Sequence, residues 1–269
     1  MFVAPRRTLL AAVAAASALL ALPVRADLVS VIASSKPSVL PVGTFSATDS
    51  PRFGFRGTGF VVGDGSFVVT NFHVLPSAGE TEGDPVMVVL VAQKALVARQ
   101  GEAAPSPTGQ LRRARVVATD RRHDLALLKI EGAALTPLVL DEPGLAREGQ
   151  SITLMGFPIG GTLGFAAVSH RGIIASITTA ALPAATAQQL DPRALVRLRD
   201  GNYEVLQLDA TAYPGNSGGP VLDADTGRVV GIVNMVLVKA GRESALSNPT
   251  GISYAIPVRH LHELLKAPR

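Results

Sequence analysis

Apolar residues in this chain fall into short runs broken by Gly, Pro, Asp or Ser, with one long exception at the start. Ser38 to Val42, Gly57 to Val62, Ser66 to Thr70, Pro85 to Val91, Arg115 to Ala118 and Leu125 to Ile130 are rich in β-branched residues and read as strands. Ser151 to Met155, Val168 to Ser176, Glu204 to Ala210, Val221 to Leu222, Val229 to Val236 and Gly251 to Ala255 continue the series. Gly63-Asp64-Gly65 signals a hairpin turn between two of them. Helical spacing is nearly absent until Val258 to Lys266, where Val258, Leu261, Leu264 and Leu265 share one face. The pattern predicts an antiparallel all-β protein closed by one helix. Gln93 to Gln110 and Thr179 to Arg193 interrupt it as long loops, and Leu195 to Leu208 folds back on itself around Asp200-Gly201.

The exception is Leu9 to Leu22, almost wholly apolar, preceded by Arg6 and Arg7 and succeeded by Val24-Arg25-Ala26. Residues 1 to 26 read as a secretory signal peptide. The run falls short of the roughly 20 residues that a membrane-spanning helix needs, so no membrane span is expected after cleavage. Localisation is then exported, either periplasmic or extracellular. With no cysteine in the chain, lipid attachment is excluded and the core alone must hold the fold. Removing Arg6, Arg7 and Arg25, with no acid among them, takes the net charge from +4 to +1. The remaining basic residues are dispersed, which argues against nucleic acid as a partner.

The chemistry centres on Leu208 to Pro220, where Ser217 lies among Gly215, Gly218 and Gly219. Glycines let the backbone turn tightly beside a ligand, so Ser217 is a candidate nucleophile. A Gly-x-Ser-x-Gly stretch suits two hydrolase designs, which differ in the chain order of their partners. The α/β-hydrolase order needs an acid and then a histidine after the serine, among alternating strands and helices. The chain beyond Ser217 is short and reads mostly as strands. The order histidine, aspartate, serine is met by His73, Asp124 and Ser217. His73 ends an apolar strand where its ring faces a cleft, and histidine titrates near working pH. His123 reads as a surface or loop residue pointing away from whatever Asp124 faces, Asp120 as a turn cap, His170 as a strand residue, and His260 and His262 as a solvated helix face. No metal site and no cofactor are expected.

Several blocks now match one family in order: Gly57 to Val62, Val68 to Val74, Asp120 to Ile130, Asp209 to Pro220 and Gly251 to Pro257. From about Ser30 to Leu265 the chain resembles chymotrypsin-like serine proteases, and within them the high-temperature-requirement type. The resemblance implies two antiparallel six-stranded β-barrels with the active site between them, residues 27–140 forming the first barrel and 141–269 the second with its terminal helix. It implies that His73 is the general base, Asp124 its orienting acid and Ser217 the nucleophile, with the N–H groups of Gly215 and Ser217 forming the oxyanion hole. It places Thr211 at the floor of the specificity pocket and Val233, Asn234 and Met235 along its wall, which favours cleavage after small or medium aliphatic residues. Asn216 stands where digestive enzymes carry an aspartate, so their zymogen switch is not expected. Activity is expected to depend on loop ordering by residues 156–165 and 179–203. The peptide-binding PDZ domain of such proteases is not seen after the terminal helix.

The expected partners are protein or peptide substrates, unfolded ones included. Oligomeric state stays open, with a trimer as one arrangement and Phe45, Phe53 and Phe55 as either core or contact residues. These residues suit three functions: a serine endopeptidase, a catalytically silent peptide-binding module of the same fold, and an esterase-type hydrolase.

Overall fold

The structure is a computed structural model and describes residues 27–77, 86–92, 109–158, 165–179, 203–234 and 251–266. The apolar leader 1–26 and the loop segments 93–108 and 180–202 lie outside them. Twelve strands form two closed barrels. The first contains β1 (Val39–Phe45), β2 (Phe53–Val62), β3 (Phe67–Asn71), β4 (Val86–Ala92), β5 (Gly109–Asp120) and β6 (Leu125–Ile130), in the order β1-β2-β3-β6-β5-β4. The second contains β7 (Ser151–Gly156), β8 (Val168–Thr179), β9 (Glu204–Asp209), β10 (Pro220–Asp223), β11 (Val229–Val233) and β12 (Ile252–Pro257), in the order β10-β11-β12-β9-β8-β7. Every strand pair within the barrels is antiparallel.

Side chains alternate along a strand, and here both faces of the central strands are used. Val61, Val68 and Leu128 point into the first barrel with Val42, Val89 and Ile130. Their neighbours Phe60, Val62, Val69, Leu125 and Leu127 point outward and pack against Met155, Leu222, Ile232 and Ile256 of the second barrel. Burial on two sides explains why these strands appear in the sequence as continuous apolar runs. Ile152, Leu154, Ile174, Leu208, Val221 and Val230 fill the second barrel.

The connection between barrels is fastened to each in turn. Leu138 N–H donates to Val61 O at 2.9 Å, and three residues later Asp141 N–H donates to Val229 O at 2.9 Å. Helix α2 (Val258–Lys266) places Val258, Leu261 and Leu264 in the same cluster that joins the barrels. The Gly63 to Gly65 turn closes β2 onto β3, with positive φ at both glycines and Asp64 accepting from Ser66.

One element runs against the sequence reading. Leu28–Ser35 forms a helix, α1, ahead of β1, where only the terminal helix was expected. Its Leu, Val and Ile content is weak evidence for a helix, and eight residues have little helical stability alone. Packing decides: Val31 is buried in the inter-barrel cluster, and the backbone of Gly227 lies directly beneath its methyl groups. Of the three phenylalanines left open, Phe53 and Phe55 pack their rings on Phe165 within the chain.

Candidate active site

Strand β3 ends at Asn71, and a 3-10 turn over Phe72–Val74 swings His73 out of the sheet. Arg56 fixes this turn, its Nε donating to Val74 O at 2.7 Å and its Nη2 to Leu75 O at 3.1 Å. Across the cleft edge, Asp124 immediately precedes β6. Its Oδ1 accepts from the His73 N–H at 2.9 Å, and its Oδ2 lies 2.6 Å from His73 Nδ1. Because a carboxylate accepts, the proton of the imidazole sits on Nδ1 and the Nε2 lone pair is left for another partner. The carbonyl of Asp124 accepts from Phe72 N–H and Asn71 Nδ2, both at 3.0 Å. Asp124 has φ of 54°, a left-handed conformation that costs a residue with a side chain about 1–2 kcal/mol. These bonds to Asn71, Phe72 and His73 hold it there.

Ser217 is presented by two successive turns. Asn216 N–H donates to Tyr213 O at 2.9 Å with Pro214 second and Gly215, at φ 103°, third. Gly219 N–H donates to Asn216 O at 2.9 Å with Ser217 second and Gly218, at φ 85°, third. Positive φ confined to the third position makes both type II turns, and Pro214 is already set for the second. Gly218 N–H is taken by Val233 O. Among the described residues, the N–H groups of Gly215 and Ser217 find no acceptor within the chain. Two donors without a protein acceptor thus lie in the serine loop.

Thr58 of β2, wholly buried, joins this loop to the first barrel and is the residue that sequence reasoning missed. Its N–H donates to Ser217 O at 2.9 Å and its Oγ1 donates to Gly215 O at 2.6 Å, while Phe157 N–H donates to that same Oγ1. The bond to Gly215 O fixes the peptide that joins Gly215 to Asn216. The available signal was a threonine between two glycines in an apolar strand. A Cβ on Gly57 would stand 2.7 Å from Val74 Cγ2 and 3.1 Å from Ser217 O, so the histidine turn and the serine loop both press against this strand.

Gly218 is tightly constrained. A Cβ there would lie 2.2 Å from Thr58 O and 2.5 Å from Thr70 Oγ1, in addition to the strain of positive φ. Gly218→Ala is expected to lower folding stability by about 3 kcal/mol, measured as a drop in the urea midpoint. An unchanged midpoint would show that the loop is not seated against β2.

Two of the residues expected along the pocket wall have partners elsewhere. Val233 is fully buried and its side chain packs in the core of the second barrel, because its strand position faces inward. Asn234 Nδ2 donates to Asp124 Oδ2 at 2.9 Å, so its amide supports the carboxylate. Thr211 is half-buried where Ser253 Oγ spans its neighbours, donating to Ala210 O at 2.7 Å and accepting from Ala212 N–H at 2.9 Å. Met235 lies outside the described residues, as do residues 159–164 of the first segment expected to order the site. Asn216 is fully buried and neither end of its amide has a partner, so a carboxylate there would be an uncompensated buried charge.

Three histidines also depart from expectation. His260 is buried on the inner side of α2 and stacks on His123, and His262 Nε2 lies 2.8 Å from Asp141 O. His260 therefore packs on the barrels, and His262, half-buried on another side of the helix, meets a backbone carbonyl. His123 is likewise enclosed, with Asp120 at its Nδ1 and Tyr203 at its edge. Asp120 does cap the turn before β6, accepting from the His123 N–H at 3.0 Å.

Burial holds His170 below the ordinary histidine range, and burial does the same for His260 despite the opposing pull of Glu263. Both are therefore neutral in the fold, whereas unfolded chains take up protons near the ordinary value of 6.5. Their contribution to stability is full above that value and declines as pH falls toward the depressed folded values. Burial opposes ionisation of Asp120, but the side-chain and backbone bonds from His123 outweigh it and keep its pKa low. That contribution is lost in turn as pH drops below 3.8. The urea midpoint is expected to be lower at about pH 5.5 than at about pH 7.5. A midpoint higher at about pH 5.5 than at about pH 7.5 would contradict the burial of these rings.

Residues 57–232 match the family described as trypsin-like peptidase domain, a stretch that holds His73, Asp124, Thr58 and Ser217 together. The chain belongs to the trypsin-like peptidase domain family. This trypsin-like domain is 29% identical over 203 residues to a probable periplasmic serine endoprotease, DegP-like, of Pseudomonas fluorescens, covering 75% of the chain and 32% of that protein. To its namesake in a Marinomonas species it is 30% identical over 216 residues, covering 79% of the chain and 36% of the relative. The chain thus spans about a third of the length of these curated relatives. Among solved structures, Deg5 aligns with a TM-score of 0.58 at 24% identity, over 87% of this chain and 90% of Deg5. The HtrA-type protease AlgW with a decapeptide aligns at 0.60 and 21%, over 90% of this chain and 67% of AlgW. The two-barrel fold is therefore shared with proteases of the high-temperature-requirement type. No helix among the described residues is long and apolar enough to cross a membrane.

Proposed function

We propose that this chain is an exported serine endopeptidase that hydrolyses peptide bonds through Ser217, His73 and Asp124. The observation that carries the reading is the pair of hydrogen bonds from His73 to Asp124, which leaves the Nε2 lone pair unused, together with the two unengaged N–H donors of the serine loop. Ser217 Oγ attacks the substrate carbonyl carbon while its proton passes to His73 Nε2. The charge that develops on the carbonyl oxygen is met by the N–H groups of Gly215 and Ser217. Collapse breaks the C–N bond, the leaving amine takes the proton from His73, and an acyl group remains on Ser217. Water then attacks the acyl carbon as its proton passes to His73 Nε2, and the bond to Ser217 Oγ breaks as that proton returns to the serine, releasing the acid.

Thr211 offers no formal charge to a substrate side chain, which supports cleavage after Val, Ala, Ile or Leu. The relatives' names include the word periplasmic, and the apolar leader fits export to that compartment. Incubation with unfolded casein, and then mass spectrometry of the fragments, tests activity and pocket chemistry together. Fragments ending mainly in those aliphatic residues are expected. Cleavage after Lys or Arg would overturn the specificity, and intact casein would favour a peptide-binding module.

A further inference from the structure

The turn that delivers Asp124 is braced from outside the cleft. Asp124 is the one non-glycine residue with positive φ among the described residues. A residue in that state persists only when its surroundings over-determine it. Asn71, Phe72, His73 and Asn234 hold it on the cleft side. On the other side is His123. Its N–H donates to Asp120 Oδ1 at 3.0 Å and its Nδ1 lies 2.6 Å from Oδ2, so one carboxylate closes the turn twice. The imidazole of His123 is then covered. His260 of α2 lies on its face with ring centroids 3.7 Å apart and planes 12° from parallel, and Tyr203 meets its edge at 5.0 Å and 84°.

His260 holds this position although its Nε2 is buried and unpartnered. A nitrogen left in that state is unfavourable, so what the ring contributes is its apolar face. His123, His260 and Glu263 bring three potential ligand atoms within 4.8 Å of one another, but near-parallel rings direct their in-plane lone pairs side by side rather than toward a common point. The cluster is a stack, not a cation site.

We infer that His260 is a positioning residue for Asp124, acting through the face of His123 on the 120–124 turn, and that acid opens this brace. The inference rests on reading His73, Asp124 and Ser217 as the catalytic set. Two neutral imidazoles stack without penalty, whereas two protonated ones repel at this spacing. The groups facing the pair are Asp120 from β5, Tyr203 ahead of β9, and Arg259 and Glu263 from α2. Asp120 and Glu263 favour a first proton and Arg259 opposes it, while the first proton itself opposes a second across the stack. Burial also keeps His260 below the ordinary histidine range.

The test compares His260→Ala and His260→Phe in the full chain, reading kcat, KM and the low-field proton resonance of His73 Nδ1–H. His260→Ala is expected to lower kcat about tenfold at unchanged KM and to broaden the resonance, since small misplacements of a catalytic group reduce rate steeply. His260→Phe keeps a ring on His123 that cannot be protonated. It is expected to restore both readings at neutral pH and to make the acid limb of log kcat shallower than in the parent. Wild-type kcat and resonance in His260→Ala, or an unchanged acid limb in His260→Phe, would overturn the inference. The resonance reports the His73–Asp124 bond without turnover. A chain that cleaves nothing would therefore refute the proposed activity and still leave the brace open to test.

Discussion

Ser217→Ala is expected to lower kcat by about 10⁶ while leaving the fold and substrate affinity nearly intact. The magnitude comes from how the loop is built. The turns that present Ser217 are made from Asn216 and Gly219 N–H bonds, from Pro214, and from two glycines at positive φ. None of these involves the hydroxyl. The Thr58 N–H bond goes to the carbonyl of Ser217 and also survives truncation. Alanine thus removes the nucleophile and nothing that shapes the site. The residual rate is that of water attacking a substrate held by the same N–H donors. Initial rates on an aliphatic peptide ester and a peptide amide, with a urea midpoint for each protein, check the expectation. Retention of more than about a hundredth of the activity would mean that another group performs the attack.

Asp124→Asn is expected to reduce kcat by about 10⁴ with KM little changed. Each carboxylate oxygen of Asp124 already faces a donor: Oδ1 the His73 N–H, and Oδ2 both His73 Nδ1 and Asn234 Nδ2. An asparagine must set its amide NH2 against one of these positions. Placed toward Oδ2 it meets two donors, and the imidazole relieves the conflict by moving its proton to Nε2. The base is then occupied on the side facing Ser217. Placed toward Oδ1 it meets the backbone N–H and pushes the turn away from His73. Either arrangement leaves the barrel cores untouched, so the urea midpoint should change far less than the rate. Stopped-time assays at about pH 8, where histidine is neutral, measure the rate. Activity within about tenfold of the parent would show that Asp124 does not orient His73.

Much of this site was legible in the sequence because its parts are local. His73 sits at a strand end, Ser217 in a glycine-rich turn, and the order of histidine, aspartate and serine distinguishes one hydrolase design from another. The strands were legible for a physical reason too: the second half of β2 and most of β3 and β6 are buried on both faces, so apolar residues there stand side by side rather than alternating with polar ones. What the sequence hid is made by contacts between distant segments. Thr58 joins the two barrels across a separation of 157 residues to Gly215, and nothing in its local pattern names its partners. Asn234 reads as a pocket wall until Asp124, 110 residues earlier, is found against it. Helix α1 has strand-like composition and is fixed only by the seat of Val31 on the inter-barrel cluster. His260 has helical spacing that suits a wet face equally well, and only the docking of α2 reveals its ring against His123.

The central claim is that Ser217 is a nucleophile made reactive by His73. Labelling the full chain with a fluorophosphonate, and locating the adduct by mass spectrometry, tests that claim most directly. The account predicts one adduct per chain on the peptide containing Ser217, and loss of labelling in His73→Ala under the same conditions. An adduct on another residue, equal labelling without His73, or no adduct in the presence of a substrate peptide would contradict it.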